Sequence, residues 1–140
     1  MPRHENIELD HLSLKKVLLD DIIIDVSWEG KIEWEWVFSD HVEEMGFGEA
    51  AKNAMARNPN VVPAGGGMGD WMHANSMSVI GPNRHYDSGD ERFHPDNIMW
   101  DGRQTNIIAI ADRRSGKIVW RVGPDYDATP ELRKLGWIIG

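Results

Sequence analysis

Residues 70–76, Asp-Trp-Met-His-Ala-Asn-Ser, place an imidazole and a carboxamide two positions apart. If this segment is a β-strand, His73 and Asn75 leave the same face, because successive side chains of a strand alternate. About thirty positions later, residues 97–106 supply further amides and Arg103, whose guanidinium stays charged at any ordinary pH. We therefore predict that His73, Asn75 and Arg103 converge on one anion-binding site that β-structure holds in place.

Each of these residues also has a structural interpretation. His73 could form only a structural hydrogen bond, and Asn75 could cap a turn. Arg103 could form a salt bridge with a neighbouring loop, a contact that contributes little to stability on a surface. The carboxamide beside the histidine and the arginine downstream together favour the site. Arg121 is interpreted as a solvated strand residue.

Other clusters of reactive side chains are not expected to bind a metal or a cofactor. His85 and His94 lie among acidic residues, but their spacing fits neither a zinc motif nor a calcium loop. The glycine run at residues 65–67 has no following Lys-Ser/Thr and no preceding strand, which argues against a phosphate-binding loop. The seven tryptophans are interpreted as packing between β layers. No cofactor and no metal site are predicted.

The composition excludes several classes of partner. The chain has 140 residues and a net charge of −8, from 15 basic and 23 acidic residues. Nucleic acid is therefore not expected as a partner, because phosphate contacts need a basic stripe. No apolar run approaches membrane-spanning length, and residues 1–20 lack the apolar centre of a signal peptide, so the compartment stays open. Without cysteine, disulfides and thiolate chemistry are excluded.

The periodicity around the candidate site is that of an all-β protein. Gly30 occupies a turn position suited to positive φ. It lies between a predicted strand rich in β-branched residues and one that alternates apolar and charged residues. Three short helices are predicted. The first begins with a capping box at residues 40–43, the second covers the alanine-rich residues 48–57, and the third begins at Thr129. Strands are predicted over residues 22–26, 31–36, 72–80, 97–100, 106–111 and 117–122.

A repeat relates the first predicted hairpin to the last. Residues 30–34, Gly-Lys-Ile-Glu-Trp, match residues 116–120, Gly-Lys-Ile-Val-Trp, at an offset of 86 positions. Two insertions, residues 48–69 and 82–96, lie between the copies, and without them the period is 49 residues. Propeller blades repeat at about 40–50 residues and contain four strands each. The pattern therefore favours a β-propeller over a sandwich.

The predicted organisation is about one and a half blades of four-stranded antiparallel sheet, with short helical insertions. The predicted parts are an outer hairpin of one blade (residues 21–38), a helical and glycine-rich insertion (39–69), one full blade (70–122) and a connection to the next blade (123–140). Propellers close with about four to eight blades. The 140 residues are thus expected to be a fragment whose remaining blades belong to the same protein.

Taken together, residues 70–76, Arg103, residues 107–110 and residues 116–123 resemble the arylsulfotransferase family. These are bacterial-type enzymes, independent of 3′-phosphoadenylyl sulfate, with a six-bladed β-propeller. The Gly-Lys-Ile-x-Trp motif alone is shared with other propellers, whereas Asp-Trp-x-His-x-Asn-Ser followed by Arg is more specific. The resemblance covers roughly residues 21–140. It implies transfer of a sulfuryl group from a phenolic sulfate ester to another phenol through a sulfohistidine.

The resemblance implies a catalytic role for His73 and substrate binding by Asn75 and Arg103. An imidazole can give a proton to a departing phenolate, and a guanidinium stabilises the charge on sulfuryl oxygens. The nucleophilic histidine is expected in a different blade, after Gly140, so the 140 residues alone are expected to be inactive. Two alternatives remain, a noncatalytic propeller used as a binding scaffold and a segment of a quinoprotein-type propeller.

Overall fold

A computed structural model describes residues 19–49, 51–53 and 70–123. Within these residues the chain forms one two-stranded and one four-stranded antiparallel sheet, each in chain order. The strands are β1 (Ile22–Val26), β2 (Ile32–Val37), β3 (Ala74–Val79), β4 (Ile98–Gly102), β5 (Ile107–Ala111) and β6 (Ile118–Val122). The prediction of an all-β fold is confirmed, and the two sheets are consistent with a partial propeller.

The sequence repeat is also a structural repeat. The β1–β2 and β5–β6 hairpins turn through Gly30 and Gly116, whose φ angles are +82° and +73°. Nothing lies within 4 Å of a Cβ built at either glycine, so backbone conformation rather than space selects glycine there. Each hairpin also contains a register shift near the turn, at residues 25–26 in the first and 110–111 in the second. The two hairpins therefore both turn through a glycine with positive φ and both shift register near the turn, although the second turn, from Asp112 to Lys117, is one residue longer than the first, from Ser27 to Lys31.

The predicted start of the first helix, at the capping box of residues 40–43, is wrong. A 3₁₀ helix spans Phe38–His41, and Val37 precedes it without a side-chain cap. Because Phe38 is completely buried, packing sets the beginning of this helix and Asp40 lies inside it. In the predicted helix over residues 48–57, Glu49 and residues 51–53 are helical. The rest of that prediction, and the helix from Thr129, lie outside the described residues.

The insertion at residues 82–96 contains two short helices where the sequence predicted only a polar loop. Helix α1 (Arg84–Asp87) is capped by Asn83, whose side chain accepts hydrogen bonds from the backbone amides of His85 and Tyr86. A 3₁₀ helix over Glu91–Phe93 begins at Asp90, which accepts from the Arg92 amide. Both are ordinary N-caps. No helix in the described part of the chain is long and apolar enough to cross a membrane.

Aromatic rings join the two sheets. The ring of Phe38 lies edge-on to Trp36 at 4.8 Å and to Trp100 at 4.9 Å between centroids. The Trp36 indole N–H donates to the Gly116 carbonyl oxygen at 2.6 Å, which ties the first hairpin to the turn of the last. The buried cluster comprises Ile23, Trp36, Phe38, Val42, Met45, Phe47, Trp71, Met72, Ile98, Trp100, Ile107, Ala109 and Ala111.

Polar contacts reinforce the same junction. Arg113 forms an ion pair with Asp25, and its guanidinium lies 5.6 Å from the centre of the Trp34 ring. The side chain of Asn97, which is almost completely buried, accepts from the Arg113 amide at 3.2 Å and donates to the Arg92 carbonyl at 3.1 Å. The first hairpin is thus held against the four-stranded sheet by side chains at the β5–β6 turn.

Candidate functional site

The candidate site lies where the chain enters β3, at the end of the four-stranded sheet that the β4–β5 loop also reaches. The Arg103 amide donates to the His73 carbonyl oxygen at 3.0 Å, and the Gln104 amide donates to the Met72 carbonyl oxygen at 3.2 Å. The structure therefore brings the backbones of His73 and Arg103 into direct contact, although about thirty positions separate them in the sequence.

His73 precedes the strand that the sequence predicted to contain it. The predicted start at residue 72 is wrong, because β3 begins at Ala74. His73 adopts a left-handed backbone conformation with φ +51°, and the register of β3 shifts between Ala74 and Ser76. The alternation of side chains along a strand therefore does not apply to His73 and Asn75. Their common face stays a prediction.

Contacts on both sides of His73 hold its backbone in this conformation. Met72, immediately before it, is completely buried, and the Thr105 hydroxyl donates to its Sδ at 3.4 Å. The Ala74 amide, immediately after it, donates to Asp21 Oδ2 at 2.6 Å. With the hydrogen bond from Arg103 to its own carbonyl, His73 is fixed by two separate parts of the chain, the β4–β5 loop and Asp21.

Asp70 binds the imidazole of His73. The distance between His73 Nδ1 and Asp70 Oδ2 is 2.5 Å, with the two side chains 38% and 22% exposed. An ionised carboxylate only accepts hydrogen bonds, so when Asp70 is ionised this hydrogen bond requires a proton on Nδ1 of the imidazole. Asp70 was within the predicted segment but had no predicted role. The three-residue spacing of Asp and His was the available signal.

Asn75 and Arg103 both face solvent. Asn75 is exposed on β3, and Arg103 is exposed in the β4–β5 loop. Arg103 forms no ion pair with any residue that the structure describes. Asp101 Oδ1, the nearest acid in sequence, instead accepts from the Ser76 amide at 2.6 Å and from its hydroxyl at 3.0 Å. The structural alternative for Arg103, a salt bridge to a loop, therefore finds no support in the described part of the chain.

Two carboxyl groups at the entry to β1, those of Asp20 and Asp21, have raised pKa values. Burial raises the pKa of Asp21, and the neighbouring Asp70 adds to this, whereas the hydrogen bond from Ala74 and the charge of His73 oppose it. Burial likewise raises the pKa of Asp20, and Ser39 opposes that effect only in part. Both Asp20 oxygens are shielded from solvent. The entry to β1 thus carries carboxyl groups that bind protons more readily than usual.

The histidines of the insertion pack on aromatic rings. The His85 ring lies 4.8 Å from that of Phe93, and the His94 ring lies 4.9 Å from that of Tyr86. Across residues 19–49, 51–53 and 70–123, no group of three or more His, Asp or Glu side chains is placed to hold a metal ion. Within the insertion, both histidine rings thus contact an aromatic ring.

Comparison with known proteins yields one family. The family model described as arylsulfotransferase (ASST) matches residues 4–136. No curated protein and no solved structure matches the chain. The matched residues make up nearly the whole chain and include the entry to β3, Asn75 and the β4–β5 loop.

Proposed function

The chain belongs to the arylsulfotransferase family, and on that premise we propose that it takes part in moving a sulfuryl group from a phenolic sulfate ester to another phenol. The observation that supports this most directly is the backbone contact between His73 and Arg103. It puts an imidazole-bearing residue and a guanidinium-bearing residue next to each other within the segment that the family model matches.

In this proposal His73 is the general acid and base. In the first half-reaction the bond between sulfur and the donor phenol oxygen breaks, a bond between sulfur and a nucleophilic histidine forms, and His73 gives the Nε2 proton to the leaving phenolate. In the second half-reaction the acceptor phenol gives its proton to Nε2, its oxygen bonds to sulfur, and the sulfur–nitrogen bond breaks. Such proton transfer contributes about 10²–10⁴-fold in rate.

Asn75 and Arg103 bind the group that is transferred. The sulfuryl group spreads negative charge over its oxygens as it moves, and fixed donors that meet this charge stabilise the transition state. Arg103 supplies a permanent charge and paired N–H donors, and Asn75 supplies amide N–H donors. Both side chains are exposed, so an aryl sulfate from solvent can reach them.

The covalent nucleophile is a histidine other than His73, in a different blade of the same propeller. Residues 21–38 are the outer hairpin of one blade, residues 70–122 are the complete blade that follows it, and the remaining blades of the same protein close the ring. This division is supported by the turn glycines with positive φ and the register shifts that the β1–β2 and β5–β6 hairpins have in common. The site is then shared between blades, with the acid and the anion-binding residues on the blade described here.

The experiment is a transfer assay on the complete natural protein that carries these residues, with 4-nitrophenyl sulfate as donor and phenol as acceptor. We expect His73→Gln to lower kcat and Arg103→Gln to lower kcat/KM, each by about 100-fold. Arg114→Gln is the matched control, because this guanidinium is exposed at the β5–β6 turn, at the far end of β5 from the β4–β5 loop.

Mass spectrometry of the donor-treated protein completes this test. The proposal expects an added sulfuryl group on a histidine other than His73, and no turnover by residues 1–140 alone. Full activity of His73→Gln and Arg103→Gln would overturn the assigned roles. Turnover by the 140-residue chain alone would overturn the placement of the nucleophile in another blade.

A further inference from the structure

We propose that Asp70 is a positioning residue that holds His73 in the Nδ1–H tautomer, so that Nε2 is the nitrogen presented to the phenolic oxygen. This inference rests on the proposed function, because it concerns the same imidazole. Asp70 itself does not touch the reacting atoms. It acts through the ring to which it is bonded.

The geometry of the pair supports a defined tautomer. His73 Nδ1 lies 2.5 Å from Asp70 Oδ2, and the Asp70 side chain is only 22% exposed. A carboxylate cannot donate, so the hydrogen bond requires the proton on Nδ1. In a neutral imidazole the other nitrogen is then an acceptor, and in the protonated ring it is a donor. Both states are needed in the two halves of the proposed reaction.

The backbone of His73 supports a function for this orientation. A non-glycine residue at φ +51° is uncommon, and such conformations concentrate at functional sites where surrounding structure enforces them. Here the enforcing groups are the Arg103 amide on the His73 carbonyl and the Asp21 carboxylate on the Ala74 amide. Asp70 fixes the side chain of a residue whose main chain is already fixed, so the imidazole direction is set from both ends.

Other histidine–acid pairs in the described residues lack this combination. His94 Nδ1 lies 3.9 Å from Asp96, whose side chain is 77% exposed. His41 Nδ1 lies 3.1 Å from Glu44, but its ring is stacked on Trp36 at 4.3 Å, and Glu44 also accepts from the Ile118 amide at 2.6 Å. The His41 pair therefore belongs to packing between the sheets, and the His94 pair is a loose surface contact.

The test is long-range ¹H–¹⁵N NMR of the 140-residue chain labelled at histidine, at a pH where His73 is neutral. We expect the Nδ1–H tautomer for His73, with Nε2 unprotonated. In Asp70→Asn the side-chain amide can donate to Nδ1, so the population is expected to move to the Nε2–H tautomer. Asp70→Glu is expected to restore part of the Nδ1–H population, and Asp96→Asn, the matched control, to leave His73 unchanged.

The wild-type spectrum decides the proposal even where a variant does not fold. A neutral His73 that is mainly Nε2–H in the wild-type chain would overturn it, as would the same tautomer in wild type and in folded Asp70→Asn.

In the complete protein, Asp70→Asn is expected to lower kcat by about 10- to 100-fold with little change in KM, because substrate contacts stay in place. An unchanged kcat would overturn the positioning role. Absence of any sulfuryl transfer by the wild-type protein would instead overturn the proposed function. The NMR measurement of the His73 tautomer does not depend on that activity, so the two failures can be distinguished.

Discussion

His73 owes its position to single hydrogen bonds from residues that are distant in the sequence. Its neighbour Ala74 donates to Asp21, 53 residues earlier, and its carbonyl accepts from Arg103. No local pattern reveals such contacts, which is why the sequence alone placed His73 inside a strand, whereas β3 begins at Ala74. The contact between Asp70 and His73 could have been predicted from the sequence, since an acid three residues before a histidine can reach its ring.

The acidity of Asp20 leads to a prediction about pH. Its folded-state pKa is raised by burial, so the carboxyl binds its proton more tightly in the folded than in the unfolded chain. Lowering the pH from 7 towards the ordinary value of 3.8 therefore stabilises the fold through this group, and raising the pH removes that contribution. We expect Asp20→Asn to lose this part of the pH dependence and to match or exceed wild-type stability at pH 7, by up to about 1 kcal/mol.

Urea unfolding of wild type and Asp20→Asn across this pH range measures the effect. Asp96→Asn serves as control, because the Asp96 side chain is 77% exposed. An Asp20→Asn variant that is less stable than wild type at pH 7 and keeps the same pH dependence would contradict the prediction.

At the scale of elements, alternation and turn glycines were sufficient to predict β1, β2 and β4–β6 within a residue or two. Two element starts depend instead on tertiary contacts. The start of β3 depends on the hydrogen bond to Asp21, and the start of the 3₁₀ helix depends on burial of the Phe38 ring. The helices of the insertion were missed although their caps, Asn83 and Asp90, are visible in the sequence. Four-residue helices are too short to show a hydrophobic period.

Gly102, the last residue of β4, gives a prediction about how the elements hold the site. A Cβ added there would overlap Met72 Sδ and Thr105 Oγ1, so the buried residue before His73 would have to move. We expect Gly102→Ala to lower the free energy of unfolding by about 1–3 kcal/mol, as overpacking does. It should also shift the backbone resonances of His73 and Arg103.

Gly116→Ala is the comparison for this prediction. Its cost comes from φ +73° alone, with open space around the Cβ, and we expect about 1–2 kcal/mol without any change at His73. Urea unfolding and amide spectra of the two variants separate the effects. Equal perturbation of His73 by both would contradict a direct role for Gly102 in supporting the site.

At the scale of the whole molecule, the repeat of 86 positions predicted two related hairpins, and the structure shows that both contain a glycine with positive φ and a register shift near the turn, although the second turn is one residue longer. The six strands followed from the alternation of apolar and polar residues between turn residues. The way the hairpins face each other did not, because it depends on the rings of Trp36, Phe38 and Trp100 meeting across the sheets. Residue types alone do not encode which rings meet.

Both sheets also leave apolar side chains in solvent, among them Ile24, Ile32, Ile108 and Val122 at about half of their full exposure. Exposed apolar surface of this kind marks faces that another part of a protein covers. In the proposed arrangement, neighbouring blades of the propeller cover these faces. The candidate site lies at the end of the sheet, at the entry to β3, so stacked blades would leave it open.

The central claim is that His73, Asn75 and Arg103 form one anion site, and amide and side-chain NMR of the 140-residue chain titrated with phenyl sulfate tests it most directly. We predict saturable shifts at all three residues, weaker shifts with uncharged phenol, and loss of the phenyl sulfate effect in Arg103→Gln but not in Arg114→Gln. Shifts confined to the insertion at residues 82–96, or a response that Arg103→Gln leaves unchanged, would contradict the claim.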